Sequence, residues 1–189
     1  IHERLVGSEM CIRDRIFIAM GEEWHGAPTQ SDPSAGYFRV RAVTVSNLDL
    51  QNCAGKKLRV RLIDGSSQEI TIGSIPEAKV MQVSLPSIAP TSNVSDSTAL
   101  LLTYLTGTGN TISGTLLASA AVSVSGTSIY DGSVLSANNA DVTFFIDPAK
   151  TTVNIDGQQV FRTTVETIDN PSAQAAPAPS ATPSPTATP

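Results

Sequence analysis

The chain has 189 residues, a net charge of −5 and only 15% charged residues, a length that suits one domain with appendages. Lysine occurs only as Lys56, Lys57, Lys79 and Lys150, so no basic stripe exists to neutralise phosphates, and nucleic acid is not an expected partner. Apolar runs such as Ile16-Phe17-Ile18-Ala19-Met20 fall far short of the roughly 20 residues a membrane-spanning helix needs, so no membrane span is expected.

Residues 1–15 resemble the conceptual translation of a sequencing adapter, of the kind that recurs at the ends of metagenomic gene models. On that resemblance they are set apart from the fold as an adapter-derived artefact. His2 and Cys11 then cease to be functional candidates, and the true N-terminus, with any signal peptide, is expected to be missing. Residues 16–36 read as the N-terminal segment or loop of a truncated start.

From Tyr37 to Asp169 the sequence is a succession of short alternating apolar segments separated by Gly, Asn, Asp, Ser and Pro. Phe38 and Val40 alternate with Arg39 and Arg41. The apolar positions then change parity to Val43 and Val45, which predicts a bulge. Lys57–Leu62 is the clearest strand, with Leu58, Val60 and Leu62 inward and Lys57, Arg59 and Arg61 on a wet face. Asp64-Gly65 opens a turn, and Ile70 and Ile72 are expected to return as a hairpin strand.

Further strands are expected at Val80–Leu85, Ala99–Leu105, Thr111–Leu117, Ala121–Val124, Ser128–Leu135, Asp141–Asp147, Thr152–Ile155 and Val160–Ile168, with turns at Asp131-Gly132 and Asp156-Gly157. Ala99–Leu105 and Leu116–Val122 are rich enough in Leu and Ala to read as helices, but the surrounding Thr, Val and Gly favour strands. The reading is all-β: an Ig-like two-sheet antiparallel β-sandwich over residues 37–169 with a disordered C-terminal tail. That tail, residues 170–189, holds no charge and no large apolar side chain. Its repeated Pro favours extended polyproline II, so it reads as a linker or stalk.

The stretch Val43-Thr-Val-Ser-Asn-Leu-Asp-Leu-Gln-Asn-Cys53-Ala-Gly-Lys-Lys-Leu-Arg-Val-Arg-Leu-Ile-Asp-Gly65 resembles an element of secreted bacterial β-sandwich surface proteins of the camelysin and biofilm-fibre type. The resemblance spans about 25 residues and implies an exported structural role without catalytic activity. It also implies a disulfide from Cys53 to a cysteine nearer the N-terminus. With Cys11 set aside, Cys53 is either bridged to a partner lost with the missing start or a buried free thiol.

Catalytic and metal constellations are thin. Outside residues 1–15 the sole histidine is His25, no Gly-x-Ser-x-Gly elbow occurs, and a Cys53–His25 pair is the only nucleophile–base combination on paper. Asp141, Asp147, Asp156 and Glu166 would serve glycoside hydrolysis only if two of them converged on a cleft, and Asp at such positions more often caps turns. No EF-hand spacing is present. Lys79 and Lys150 are the available donors for an intramolecular amide, and Asn93-Val94-Ser95 fits the N-glycosylation pattern. Sugar binding would need exposed aromatics, and Trp24, Tyr37, Tyr104 and Tyr130 are few and scattered.

The expectation is therefore a non-catalytic, extracellular or cell-surface module without cofactors. Its partners would be surface or extracellular matrix components, itself, or glycans. The alternative is an accessory carbohydrate-binding domain tethered to a lost enzyme.

Overall fold

The structure, a computed structural model, describes residues 16–73, 78–88, 90–94, 101–106, 111–124, 132, 134–135, 139–146 and 153–170, with only the backbone described at 101–106 and 111–119. Its strands are β1 (Phe17–Trp24), β2 (Phe38–Asp49), β3 (Lys56–Ile63), β4 (Val80–Ser84), β5 (Leu101–Thr106), β6 (Thr111–Val124), β7 (Asn139–Phe145) and β8 (Arg162–Asp169). A single helical turn, α1 (Leu50–Cys53), joins β2 to β3.

All neighbours are antiparallel, in the order β1-β2-β7-β6-β5-β4-β3-β8. The 14-residue β6 turns this ladder into a two-sheet sandwich. Its N-terminal part pairs with β5 and its C-terminal part with β7, and Ser119 is paired on both sides, to Leu101 and to Phe145. Two register shifts between β5 and β6 supply the bend, as bulges do where one strand passes from sheet to sheet.

Read in chain order, β1-β2-β7-β6 occupies the places of strands A-B-E-D of an Ig sandwich, and β8-β3-β4-β5 those of F-C-C′-C″. Between the layers lie Val43, Val45, Leu48, Leu58, Val60, Leu62, Met81, Val83, Val122, Val142 and Phe144, all essentially without solvent contact. β3 buries Leu58, Val60 and Leu62 as its alternation predicts. Its bases are drier than a wet face implies. Arg59 and Arg61 lie along the sheet, their side chains only 12% and 18% exposed, paired to Glu166 on β8. Arg59 Nε also donates to Gln82 Oε1 on β4 at 2.8 Å.

The parity change in β2 is a bulge, as the sequence predicts. Gly21 faces Ala42 and Glu22 faces Val40, so Arg41 is the extra residue. A second bulge follows, where Ser46 and Asn47 stand between the pairs Val45–Val142 and Leu48–Ala140. Asn47 takes φ 67°, one of the few non-glycine residues suited to that left-handed conformation.

Several expectations change. The sheet takes in β1, paired with β2 from Phe17 to Trp24 within the stretch read from sequence as a segment or loop. After the Asp64 turn the chain returns only as an isolated Ile63–Glu69 bridge, because Ile72 leaves the ladder to enter the core. The segments expected at Thr111–Leu117 and Ala121–Val124 are one strand, so Leu116–Val122 is extended and not helical. Val153–Ile155 forms no strand, although Ile155 accepts a hydrogen bond from Val40 N–H and Asp156 bridges Arg39. Most of Ser128–Leu135 and all of the linker from Pro171 lie outside the described residues.

Candidate functional site

Among the described residues, a dense polar cluster stands where β1 and β2 leave the sandwich and the loop from His25 to Tyr37 joins them. The loop is closed by His25 N–H donating to the Tyr37 carbonyl, and Asp32 organises its interior by accepting from the Ser34 hydroxyl at 2.9 Å. Arg39 and Arg41, straddling Val40 at the bulge, both reach Glu23 Oε2, with Arg39 Nη2 at 2.8 Å and Arg41 Nε at 3.0 Å. Asn154 Oδ1 accepts from Arg39 Nη1 at 3.4 Å.

His25 stands between an arginine and a carboxylate. Its Nδ1 is 3.0 Å from Arg39 Nη1 and its Nε2 is 3.1 Å from Asp32 Oδ2. A guanidinium only donates, so Nδ1 accepts, and the ring proton on Nε2 goes to Asp32. Both nitrogens are thereby engaged, which suits a tie across the loop and not a general base awaiting a substrate.

The electrostatics follow from these contacts. Hydrogen bonds from Arg41 and then Arg39 hold the Glu23 carboxyl below the ordinary carboxylate range. Asp32 is lowered chiefly by the Ser34 hydroxyl, with His25 adding. Burial pushes the Tyr37 phenol up. Nη1 and Nη2 of Arg41 are covered and meet no hydrogen-bond partner, so the bulge carries an electrostatic cost that Glu23 offsets only at Nε.

Beside this cluster, on the opposite face of the β1–β2 ribbon, Trp24 and Phe38 are cross-strand neighbours with ring centroids 5.1 Å apart and planes tilted by 60°. Each is 50% exposed. Sequence separation hid this pair, and the register of β1 against β2 creates it.

The remaining sequence candidates are dispersed. Cys53 is fully buried and disulfide-bonded, so it offers no thiolate to His25 and is not a free thiol; the sequence holds one other cysteine, Cys11, in the stretch set apart as adapter-derived. Asp141 accepts from Ser46 Oγ on the outer face of the first sheet. Glu166 accepts from Arg61 Nη1 at 2.8 Å on the second. Asp156 caps a 3₁₀ turn by accepting from Gln158 N–H at 2.9 Å. These three are not brought together. Asn93 is exposed, its Oδ1 accepting from Val124 N–H at 2.9 Å, and Lys79 is half-buried ahead of β4. Asp147, Lys150, Tyr130 and the Tyr104 side chain lie outside the described residues. Among the described residues, no group of three or more His, Cys, Asp or Glu is placed to hold a metal ion.

Comparison with protein-family models, with curated proteins and with solved structures finds no match to this chain.

Proposed function

We propose that this chain is a non-catalytic structural or adhesive module exported to the cell surface or extracellular space, with residues 170–189 as its spacer. The observation that supports the reading is the Ig-like all-β sandwich, an architecture shared by many cell-surface domains. The outer face of the first sheet supports it. Small and hydroxylated side chains run across it in register, Ala19–Thr44–Thr143–Ala121, with Thr44 and Thr143 hydroxyls 2.9 Å apart. Thr44 and Thr143 are themselves buried, so this row serves packing.

The second reading, carbohydrate binding, gains support from one feature, the exposed Trp24–Phe38 pair. Aromatic faces of this kind stack on sugar rings. Two measurements separate the readings. Retention of the purified chain on extracellular matrix, together with surface labelling of intact producing cells, is expected for the first. Saturable binding on a glycan array that disappears in Trp24→Ala would transfer the assignment to the second. Labelling found only after cell lysis would sink both.

A further inference from the structure

Among the described residues the sandwich has two outer edges, β1 and β8, and they differ in how they discourage pairing. β1 is broken by the bulge at Gly21/Glu22 and carries the adjacent acids Glu22 and Glu23, both features that discourage edge pairing. β8 has no bulge, and its charged residues, Arg162, Glu166 and Asp169, are spaced apart. Its register with β3 is unbroken from Lys56–Asp169 to Ile63–Arg162, it contains no Pro or Lys, and Thr163, Thr164, Val165, Thr167 and Ile168 are β-branched. Among the described residues nothing pairs with its far side. In an Ig sandwich the place beside F belongs to strand G.

We propose that this edge is the contact between two copies of the chain, which pair β8 against β8 antiparallel about a two-fold axis through Val165. Such an axis keeps the faces of both sheets aligned. It sets Thr164 opposite Glu166 of the second copy and Thr167 opposite Thr163 of the second copy. Thr164 and Glu166 lie on the outer face of the second sheet and Thr163 and Thr167 on its inner face, so each of these cross-axis pairs is polar. The next register of similar overlap, centred on Glu166, would put two carboxylates face to face. Phe161, 67% exposed just ahead of β8, is brought to the far end of the second copy's strand and loses solvent contact there.

One strand pair is a small interface, so the contact is weak and concentration-dependent in free solution. It gains strength wherever many copies share one support, because tethering raises the effective concentration. This inference does not depend on where the protein is displayed.

Sedimentation equilibrium of the full chain, joined to hydrogen exchange of the β8 amides, tests it. The expected result is a monomer–dimer equilibrium in which amides between Thr163 and Asp169 slow as concentration rises. Thr164→Glu, which faces Arg61 within its own chain and Glu166 across the axis, should keep the fold and weaken the dimer roughly tenfold. The double variant Thr164→Glu with Glu166→Gln should recover it. A chain that stays monomeric to about 1 mM, the weak end of specific association, overturns the proposal. So does a Thr164→Glu dimer as tight as the original, or a dimer whose β8 amides gain no protection.

Discussion

His25 is the residue whose role changes most once its surroundings are known. From sequence it was the one available base, and the fold spends both of its nitrogens on Arg39 and Asp32. The signal was unreadable beforehand because it depends on the register of β1 against β2 and on a loop that turns back on itself. The carboxylates beside it set an acid limit. Glu23 and Asp32 both have folded-state values below their ordinary ones, so they stabilise the fold fully above about pH 4.5 and lose that contribution as pH falls through the lowered values. Thermal midpoints recorded from pH 7 down to pH 2 should fall on the acid side, and the double variant Glu23→Gln, Asp32→Asn should flatten that limb. Cys53 is the second residue to probe. Cys53→Ser should cost about 2–5 kcal/mol, read as a lower urea midpoint, and alkylation of the denatured, unreduced chain should leave Cys53 unlabelled.

β3 and the bulge in β2 were legible as elements because period-two alternation reports a face directly. Leu58, Val60 and Leu62 alternate with bases, and the core contains those three and none of the bases. Leu62→Ala should destabilise by about 2–5 kcal/mol in chemical denaturation, with the denaturant slope unchanged. Arg59→Ala, which removes a largely buried guanidinium and its hydrogen bond to the buried Gln82, should cost about 1–3 kcal/mol. β1 was harder to see, since Phe17-Ile18-Ala19-Met20 has no alternation and Gly21-Glu22-Glu23 reads as a loop. Its pairing with β2 is a tertiary preference that local pattern cannot express. β6 was divided in sequence by the small residues around Ala118-Ser119-Ala120, and those residues mark the place where the strand passes between sheets.

At the scale of the molecule, the all-β sandwich was legible from turn spacing and alternation, while the neighbour order was not. That order depends on pairings such as β2 with β7 and β3 with β8, which join residues some hundred positions apart. The candidate site was less legible still, because Trp24–Phe38 and Glu23–Arg39–His25 arise only from that register. The Ser119 junction leaves the two layers sharing one strand, so they are not independent units, and amides of β2 and β3 should exchange with similar protection when the whole sandwich opens.

The last strand also decides how the fold meets mechanical load. β8 runs straight into residues 170–189, so a pull on that segment enters the sandwich at Asp169, whose Oδ1 lies 2.6 Å from Lys56 Nζ. Drawn sideways, the strand peels one residue pair at a time, beginning with that ion pair. Drawn along its own axis, all the rungs from Asp169 to Arg162 resist together in shear, and the strand becomes far harder to tear away.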